Sequence, residues 1–376
     1  MTTTPRILIA GAGLGGLALA QALRRGGLDV AVHEQDPTPR TRGQGYRIHI
    51  DANGNAALRA CLPAETFDLV RDTSGVNDDV MGAYTHHLEQ VMVQHFPGIT
   101  DDLITNVDRD TFRQGLLTGL DDAVHFGHTV TGYRITASGR VRVEFAEGGA
   151  DEGDLLVGAD GVGSAVRRKF LPHAETRDVG LRCVYGRLPL AGAAIPAEIA
   201  HGFTWVSDGT GHGAGFAPLR FRSSPHGVPD YLMITLLASP ERFGVPDEDL
   251  FARSPEGLWE LAVKETATWH PDLREVFAQA DRESFIPIAI RAGRRVQGWR
   301  PGPVTLLGDA VHTMPPTGGV GANTALQDAE TLAAELLAET PLVEAVAAYE
   351  RVMLPRGFDT IDASLQMAAR LFDEAP

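Results

Sequence analysis

The stretch Arg6-Ile7-Leu8-Ile9-Ala10-Gly11-Ala12-Gly13-Leu14-Gly15-Gly16 decides the fold of the N-terminal part of the chain. Its apolar first half has the length of a buried strand, and the Ala- and Leu-rich segment that follows, up to Arg25, is typical of a helix. Gly11 permits a tight turn, Gly13 lets the backbone approach a pyrophosphate, and Gly16 lets the helix pack closely on the strand. The order of strand, glycine turn and helix predicts the first half of a nucleotide-binding β-α-β unit.

A second predicted strand, Asp29 to His33, completes this unit and ends in Glu34. Glu34 follows Gly16 by eighteen residues, which is close to the separation at which dinucleotide-binding units carry an acidic residue. A carboxylate there accepts hydrogen bonds from both hydroxyls of an adenosine ribose and repels a 2′-phosphate. The helix N-terminus supplies N–H donors and a positive dipole end to the phosphates. The unit therefore favours FAD or NAD over NADP.

The composition of the 376-residue chain excludes several classes of partner. Its 33 basic and 49 acidic residues give a net charge of −16, which is not the electrostatic footprint of a nucleic-acid or membrane-surface binder. No apolar run approaches the ~20 residues of a membrane span, and the N-terminus lacks a signal-peptide pattern. We expect a cytoplasmic monomer or homodimer with a small-molecule substrate, no nucleic-acid partner and no membrane partner.

The sequence lacks the residue patterns of metal sites and of enzymes that use a protein nucleophile. Cys61 and Cys183 are the only cysteines and lie far apart. No His-Glu-x-x-His or Cys/His ligand spacing occurs, and no Gly-x-Ser-x-Gly nucleophile motif. We therefore predict no metal site, and we interpret His312 as a structural hydrogen-bonding residue rather than an acid-base group.

Two further motifs combine a buried strand with an acidic turn. Asp154 to Gly161 is a buried strand that ends in Asp160-Gly161, and Val304 to Ala310 repeats the pattern with Gly308-Asp309. The second motif continues through His312, Pro315-Pro316, Gly318-Gly319 and Gly321-Ala322-Asn323, with a helix that begins near Thr324. Acidic residues therefore follow three predicted strands of one sheet.

The segments between these motifs have their own patterns. They are a strand over Tyr46 to Asp51, a capped helix over Asn106 to Leu120, and a β-meander at about Val124 to Ile135 and Val141 to Phe145. Arg47 and His49 lie on one face of the first strand. Arg109 and Arg113 lie four residues apart on one side of the helix.

The three motifs, in this order, resemble the FAD-dependent class A aromatic monooxygenases, the para-hydroxybenzoate hydroxylase-like family. The resemblance covers the whole chain, whose length is similar to that of compact members such as the tetracycline-inactivating monooxygenases. The third motif is especially close: Gly308-Asp309-Ala310-Val311-His312 is followed by Met314-Pro315-Pro316, Gly319, Gly321, Asn323 and Asp328-Ala329.

The resemblance implies a role for each matching residue. Asp309 binds the pyrophosphate and ribityl region of FAD, and residues 321–323 place backbone amides near the pyrimidine edge of the isoalloxazine. Arg109 contacts the FAD phosphates, with Arg113 as a second candidate, and Arg42 meets the reduced nicotinamide nucleotide. The full set implied for cofactor binding is Gly11, Ala12, Gly13, Leu14, Gly15, Gly16, Glu34, Gln35, Arg42, Arg109, Arg113, Asp160, Asp309, Gly319, Gly321, Ala322 and Asn323.

The implied fold class is α/β, with a Rossmann-like FAD-binding domain, a β-sheet substrate domain and a C-terminal helix. We assign residues 1–72, 100–178 and 290–340 to the FAD-binding domain, and 73–99 and 179–289 to the substrate-binding domain. Leu181 to Phe285, rich in aromatic and β-branched residues, predicts mostly antiparallel strands in the latter. Residues 341–376 form a C-terminal helical segment that Pro341 opens.

The implied activity is FAD-dependent hydroxylation of a phenolic or polycyclic aromatic small molecule, with NAD(P)H and O2, through a C4a-hydroperoxyflavin. The flavin carries this chemistry, so no catalytic protein nucleophile is expected. Two alternatives stay open. One is an epoxidase or Baeyer–Villiger-type flavin oxygenase. The other, from a different class, is a flavin-dependent reductase of the geranylgeranyl-reductase type or a non-catalytic FAD-binding redox sensor.

Aromatic residues in the predicted middle strands are candidates for the substrate pocket, because the resemblance puts that sheet over the isoalloxazine. The only formal charge between His201 and Pro218 is Asp208, so this surface offers no fixed cation to a carboxylate. We expect a large, neutral or phenolic polycyclic substrate held by stacking and apolar burial. The candidates are Phe203, Trp205, Phe216, Tyr231 and Met233, with Arg47, His49 and Pro316 beside them.

Overall fold

A computed structural model describes residues 4–40, 46–78, 80–224 and 227–372. The chain divides into two units. Unit 1 comprises Met1–Arg71, Arg109–Arg177 and Arg291–Leu365, and unit 2 comprises Asp72–Asp108, Asp178–Ile290 and Gln366–Pro376. The predicted α/β fold class is confirmed, because unit 1 contains a Rossmann-like parallel sheet and unit 2 a separate β-sheet.

The strands are numbered in chain order. They are β1 (Arg6–Ala10), β2 (Asp29–Glu34), β3 (Arg47–His49), β4 (Val80–Thr85), β5 (Gln90–His95), β6 (Asn106–Asp108), β7 (Val124–Phe126), β8 (Val130–Ile135), β9 (Val141–Phe145), β10 (Ala150–Gly153), β11 (Leu155–Gly158), β12 (Thr176–Pro189), β13 (Phe203–Ser207), β14 (Gly213–Leu219), β15 (Tyr231–Ala238), β16 (Ile286–Gly293) and β17 (Val304–Leu306).

The α-helices are numbered in the same way. They are α1 (Leu14–Arg25), α2 (Ala52–Cys61), α3 (Ala64–Asp72), α4 (Arg109–Leu117), α5 (Ala165–Phe170), α6 (Pro240–Phe243), α7 (Asp247–Ala252), α8 (Pro255–Glu265), α9 (Pro271–Ala278), α10 (Asp309–His312), α11 (Gly321–Leu337) and α12 (Leu342–Phe372). Short 3-10 helices occupy Ala197–Ile199, Arg282–Ser284 and Pro316–Gly318.

The main sheet of unit 1 has the strand order β17-β11-β1-β2-β7, and all its neighbouring strands are parallel. β1 and β11 consist almost wholly of buried apolar residues, as a parallel sheet covered on both faces requires. Because the strands are parallel, their carboxyl ends meet at one edge, where open α/β sheets bind ligands. The glycine turn, Asp160 and Asp309 follow strands at this edge, and Glu34 is the last residue of β2.

The segment predicted as one strand region around Val124–Ile135 contains two strands with different partners. β7 joins the parallel sheet, with Phe126 aligned to Glu34. β8 instead begins an antiparallel three-stranded sheet with β9 and β10, which precedes β11 as predicted. Gly127 between the two strands has a φ of 73°, a conformation that favours glycine and permits the change of direction.

The helix predicted from Asn106 begins at Arg109, because residues Asn106–Asp108 form β6 instead. The buried Asn106 side chain donates to the backbone oxygen of Val76 rather than capping a helix. The strand predicted over Tyr46 to Asp51 is shortened in the same way to β3, since the Asp51 carboxylate caps α2 by accepting the N–H of Gly54. In both places the hydrogen bond of a polar side chain fixes where the element begins or ends, and the spacing of apolar residues in the sequence does not show this position.

Unit 2 is built on a seven-stranded sheet with the order β16-β12-β15-β14-β13-β4-β5. β12 to β15 pair antiparallel along β12-β15-β14-β13, and β13 pairs parallel with β4. The core lies on one face, where buried residues of the sheet such as Ile234 pack with helix residues such as Leu258 and Phe277. Side chains of the opposite face such as Tyr231 and Met233 are also buried, but they do not belong to this core cluster.

The two units divide the chain at different residues from the predicted domains. Residues 100–108 belong to unit 2, where the backbone oxygen of Asn106 accepts the N–H of Gly75. Residues 341–365 belong to unit 1, where the Tyr349 hydroxyl donates to the backbone oxygen of Leu306. FAD binding by the first domain and substrate binding by the second stay predictions.

The longest described helix is α12, with 31 residues. In the parts of the chain that the structure describes, no helix combines the length and the apolar character needed to cross a membrane.

Candidate functional site

The candidate site is a cleft of unit 1 at the carboxyl edge of the parallel sheet. Its lining comes from the loops after four neighbouring strands, β11, β1, β2 and β7, and from α4 and α5, which places backbone, acidic and basic groups around one opening. The lining includes Ala10, Gly11, Ala12, Gly13, His33, Glu34, Gln35, Asp36, Arg109, Arg113, His128, Thr129, Val130, Ala159, Asp160, Gly161, Gly163, Ala165 and Arg168.

Two positions of the glycine loop require glycine for steric reasons. Gly11 has a φ of 101°, and a Cβ there would lie 2.5 Å from the carbonyl oxygen of Ala159. A Cβ on Gly16 would lie 2.3 Å from the carbonyl oxygen of Gly11. Gly13 is different, because a Cβ there would meet only one atom, at 4.0 Å. The backbone at Gly13 therefore has open space beside it for a ligand, as the sequence predicts.

Glu34 holds the glycine loop and lines the cleft. Its Oε2 accepts the N–H of Ala12 at 2.8 Å, and its Oε1 accepts the N–H of Asp36 at 2.9 Å. A carboxylate offers about four acceptor positions, so these two bonds leave capacity for the hydroxyls of a ribose. The Glu34 side chain is buried, which fixes its orientation before any ligand arrives.

Arg113 is engaged by protein groups, which the sequence did not indicate. Its Nε donates to the Ala12 oxygen at 2.9 Å and its Nη1 to the Pro39 oxygen at 3.0 Å. Its Nη2 lies 3.5 Å from the carboxylates of Glu34 and Asp36. Arg113 therefore supports the glycine loop and this acidic pair, and its predicted contact with FAD phosphates stays a prediction.

Arg109 is presented to the cleft in a different way. Its guanidinium lies over the Tyr46 ring, 5.5 Å from the centroid, and its backbone N–H donates to the Tyr46 oxygen. The guanidinium is half-buried and lines the cleft, and it donates no hydrogen bond to any of the described residues. A cation held by stacking alone keeps its N–H donors for a phosphate.

Asp160 combines a structural contact with an unsatisfied atom. Its Oδ2 caps α5 by accepting the N–H groups of Ala165 at 2.7 Å and Val166 at 3.2 Å. Its Oδ1 is buried and finds no hydrogen-bond partner among the residues described. An unpaired buried acceptor costs about 1–3 kcal/mol, and this residue lines the cleft. A hydroxyl or amide donor of a bound ligand would satisfy it.

Asp309 follows β17 in the same unit but is not one of the residues that line this cleft. The residue is exposed to solvent, although protein atoms surround its carboxyl densely. Burial raises the pKa of the Asp309 carboxyl, and the positive charges of His312 and Arg109 oppose that shift. Its predicted contact with the ribityl chain stays a prediction.

A buried network holds the turn that precedes Asp309. Asp328 accepts the N–H of Gly308 at 2.9 Å and pairs through the same Oδ2 with Nε2 of His312. Its Oδ1 accepts Nη2 of Arg356 at 2.9 Å. Burial lowers the pKa of His312, but the Asp328 carboxylate outweighs it and raises that pKa overall. This arrangement agrees with a structural His312. Arg356 carried no sequence signal, because it lies on the distant α12.

The loop before α11 presents backbone rather than side chains. Gly319 has a φ of 63°, and α11 begins at Gly321 without a side-chain cap, so its first N–H groups are available to a ligand. The Asn323 side chain is used internally. It donates to the backbone oxygens of His49 and Gly319 and accepts the N–H of Asp51. Only the backbone of residues 321–323 can take the predicted role.

The predicted substrate residues divide between the two faces of the unit 2 sheet. Thr204 pairs with Phe216, and Trp205 pairs with Gly215, so Phe216 and Trp205 point to opposite faces. Phe216 is fully buried in the core and contacts Phe277 edge-on. The prediction that Phe216 lines a pocket is therefore corrected: it packs the core, because the strand register sends its side chain to the helix-covered face.

The face opposite the core carries most of the other candidates and one cation that the sequence missed. Arg187 of β12 pairs with Met233 of β15, so both side chains share this face, and its guanidinium lies 5.9 Å from the Tyr231 ring. A search of one linear segment could not find Arg187, since the register brings it in from another strand. The side chains on this face include Phe203, Trp205, Tyr231, Met233, Tyr185 and Arg187.

Two of these aromatic residues have partners of their own in unit 2. Trp205 meets Phe372 of α12 edge-on, with ring centroids 5.6 Å apart. Tyr231 is buried, and its hydroxyl donates to Asp108 at 3.0 Å. Both the ring and the hydroxyl of Tyr231 are therefore held within the protein, and the half-buried Phe203 and Trp205 are the more accessible aromatic residues of this face.

The remaining candidates lie outside the cleft lining. Arg47 is half-buried and His49 exposed on β3, and Pro316 is exposed at the start of a 3-10 helix. Arg42 lies outside the described residues. The predicted roles of these four residues are not altered by the structure.

Comparison with known proteins gives matches along most of the chain. A family model for an FAD binding domain matches residues 263–361, and one for an NAD(P)-binding Rossmann-like domain matches residues 9–78. The first range contains Asp309 and the start of α11, and the second contains the glycine loop and Glu34.

Two curated proteins and one solved structure are similar over 98% of this chain. The dual O-methyltransferase/FAD-dependent monooxygenase CTB3 of Cercospora beticola is 31% identical over 405 residues, which make up 46% of that protein. The aurachin C monooxygenase/isomerase of Stigmatella aurantiaca is 27% identical, with 90% of it covered. A proposed FAD containing monooxygenase from Photorhabdus luminescens is 28% identical, with 99% of it covered and a TM-score of 0.86. The chain spans about half the length of the first curated relatives it matches.

The raised pKa of His312 predicts a pH-dependent contribution to stability. The imidazolium gains the Asp328 ion pair only in the folded state, so the contribution is fully present below pH 6.5, the ordinary His pKa, and is lost as pH rises through the folded-state value. The free energy of unfolding should therefore fall as the pH rises above 6.5, by a component that His312→Gln lacks. Denaturant titrations over this range measure it. His87→Gln, at an exposed histidine, serves as control, and identical profiles for wild type and His312→Gln would contradict the assignment.

Proposed function

Because the chain belongs to the class A family of FAD-dependent monooxygenases, we propose that it uses NAD(P)H to transfer one oxygen atom from O2 to an aromatic small molecule. The product in this proposal is a hydroxylated phenolic or polycyclic compound of natural-product type. The observation that carries the proposal is the convergence of Glu34, Arg109 and the unsatisfied Oδ1 of Asp160 on one cleft at the carboxyl edge of the parallel sheet.

The described residues fit FAD. Glu34 offers acceptors to the ribose hydroxyls, the open side of Gly13 leaves room for the pyrophosphate, and Arg109 offers donors to its charge. Asp160 Oδ1 would gain the hydrogen bond that it lacks. When bound, FAD supplies the redox chemistry: it takes electrons from NAD(P)H and passes them to O2.

The protein's own contribution is position and electrostatics. The uncapped start of α11 offers backbone N–H groups and the positive end of a helix dipole, which would stabilise the negative charge that reduction places on the flavin. The Asp328 network fixes the turn before Asp309, which is the residue proposed for the ribityl chain. No side chain is assigned the role of nucleophile.

The sequence contains no second dinucleotide-binding motif that could bind the electron donor. FAD binds the β-α-β unit in this proposal. The reduced nicotinamide nucleotide therefore docks only transiently, with Arg42 as its predicted contact. Both NADH and NADPH are compatible with the residues described. The cytoplasmic location predicted from the sequence belongs to this proposal as well.

The substrate class rests on the face of the unit 2 sheet opposite its core. The half-buried Phe203 and Trp205 supply aromatic surface for a polycyclic ligand, and the buried Met233 lies on the same face. Arg187 on the same face is a partner for an ionised phenol oxygen, although Asp281 lies 3.7 Å from its Nε. Of the two expectations, neutral or phenolic, the structure therefore favours the phenolic substrate.

The proposed reaction is tested by following oxygen into a product. The FAD-loaded protein is mixed with NAD(P)H and a panel of polycyclic phenols and small benzoates under isotopically labelled O2. We expect polycyclic phenols to accelerate NAD(P)H oxidation and to yield products that carry one labelled oxygen atom, identified by mass spectrometry. Product structure then separates hydroxylation from epoxidation and Baeyer–Villiger insertion.

Two results of this experiment would contradict the proposal. Substrate-stimulated oxidation that reduces the substrate and leaves the label in solvent would support the reductase alternative. Slow oxidation that no compound on the panel accelerates would support the redox sensor.

Arg187→Met should raise the KM of a phenolic substrate roughly tenfold or more, because a hydrogen bond to a charged group contributes about 1.5–3 kcal/mol. The methyl ether of the same compound cannot ionise, so its KM should stay near the wild-type value. Steady-state assays of both compounds measure the difference. Arg282→Met is the matched control, since Arg282 also stacks on an aromatic ring, 4.0 Å from the centroid of Trp259, but is exposed elsewhere in unit 2. Equal losses for the phenol and its ether would remove the proposed pairing.

A further inference from the structure

His212 is a buried histidine at the turn of the β13–β14 hairpin in unit 2. Its side chain has no exposed surface, and in the described part of the chain neither of its ring nitrogens has a hydrogen-bond partner. Phe243 and Trp269 meet the ring edge-on, with ring centroids 5.7 Å and 6.4 Å away. A polar group buried without a hydrogen bond is costly, and a buried charge is far more costly. His212 has no part in the proposed function.

The charged side chains that face His212 come from the turn itself and from the ends of two helices. Oδ2 of Asp208 lies 3.8 Å from Nδ1 of His212, which is too far for a hydrogen bond. Arg242 of α6 lies closer to that carboxylate, at 3.3 Å, and its Nη1 lies 3.6 Å from Oε2 of Glu265 at the end of α8. Burial lowers the pKa of His212, as does Arg242, although Asp208 and Glu265 oppose the shift. The imidazole is therefore neutral at about pH 7.

Asp208 also holds the turn that His212 closes. Its Oδ1 accepts the N–H groups of Thr210 at 2.8 Å and of His212 at 3.2 Å, and its own N–H donates to the His212 oxygen at 3.1 Å. The backbone oxygen of Ser207, just before the turn, accepts the N–H of His86 from the turn after β4. The carboxylate nearest to the His212 ring is thus the group on which the closed turn depends.

A second proton on the His212 ring would disturb this arrangement. The imidazolium would draw Asp208 away from Arg242 and from the N–H groups of the turn, or it would leave the apolar pocket for solvent. Both movements break hydrogen bonds that close the turn, whose residues 209–210 are exposed and can move without the core. Because the closed turn binds this proton less tightly than an exposed imidazole does, it loses stability as the pH falls below 6.5, the ordinary His pKa.

From these contacts we infer that His212 is an acid-sensitive switch: the neutral ring keeps the turn from Asp208 to His212 closed, and protonation of the ring opens it while the core of unit 2 stays folded. β13 ends at this turn and carries Phe203 and Trp205, so opening loosens the strand that is proposed for substrate binding. The inference does not depend on the proposed function, because the switch consists of residues of unit 2 alone.

The switch is tested by amide hydrogen exchange in the full-length protein as purified, measured residue by residue at about pH 7.5 and about pH 5.5 and corrected for the intrinsic effect of pH on exchange. In the wild type, protection of the Thr210 and His212 amides should fall by up to about tenfold at the lower pH, which lies about one unit below the ordinary His pKa. Ile234 in β15 should keep its protection, because the core stays folded.

Two variants remove the titrating ring. His212→Phe keeps a flat ring, and His212→Leu fills the space with an aliphatic side chain. Neither can take up a proton, so protection of the turn should be the same at both pH values. His201→Phe is the matched control: His201 also lies near a carboxylate, 3.5 Å from Asp78, but it is exposed, so this variant should keep the wild-type pH dependence. If neither His212 variant folds, NMR signals of the His212 ring in the wild type should show protonation over the same pH range as the opening.

Several results would overturn the inference. Equal protection at both pH values in the wild type would show that the turn does not respond to acid, and protonation of the ring without opening would separate the two events. Acid opening that persists in both His212 variants would assign it to another group, such as His86 or His270 in the neighbouring turns. A parallel loss of protection at Ile234 would show unfolding of the whole sheet. These measurements need no substrate and leave the test of the proposed reaction separate.

Discussion

The buried carboxylate of Glu34 is the contact on which the rest of the site depends. It accepts the N–H of Ala12 from the loop after β1 and the N–H of Asp36 from the loop after β2. Arg113 of α4 completes the arrangement, since it donates to the carbonyl of Ala12 and lies 3.5 Å from Glu34. The glycine loop is thus held from both its N–H and its C=O side. These hydrogen bonds therefore fix the backbone conformation of the loop that is predicted to bind the pyrophosphate.

This constraint extends to both ends of the cleft. At one end, the backbone oxygen of Glu34 accepts the N–H of His128, so the residue predicted to bind the ribose also positions the loop after β7. At the other end, Arg109 enters from the α4 turn that also carries Arg113. A parallel sheet brings these loops to one edge, and the hydrogen bonds of Glu34 and Arg113 tie the loops after β1 and β2 together. Preorganisation of this kind reduces the entropy lost on binding a long, flexible cofactor.

Features with a local cause could be predicted from the sequence. The glycine turn follows from a steric need for positive φ at Gly11, and the parallel sheet follows from continuous apolar strands, so both were predicted correctly. Features set by distant partners could not be predicted. Phe216 is a core residue, and Arg187 lies among the aromatic candidates, because the register of strands far apart in sequence decides their faces. The hydrogen bonds that Arg113 donates to Ala12 and Pro39 had no local sequence signal either, and its role as a second phosphate contact stays a prediction.

The central claim, that Glu34 preorganises the glycine loop, is tested most directly by amide hydrogen exchange at Ala12 in the cofactor-free protein. In the wild type the Ala12 amide should be protected, and in Glu34→Ala it should exchange roughly tenfold faster or more, because a hydrogen bond to a charged acceptor is lost. Gln35→Ala, which changes the exposed neighbouring residue of the same cleft, should leave exchange at Ala12 as in the wild type. Unchanged protection in Glu34→Ala, together with weakened FAD binding, would contradict the claim and reduce Glu34 to a ligand contact alone.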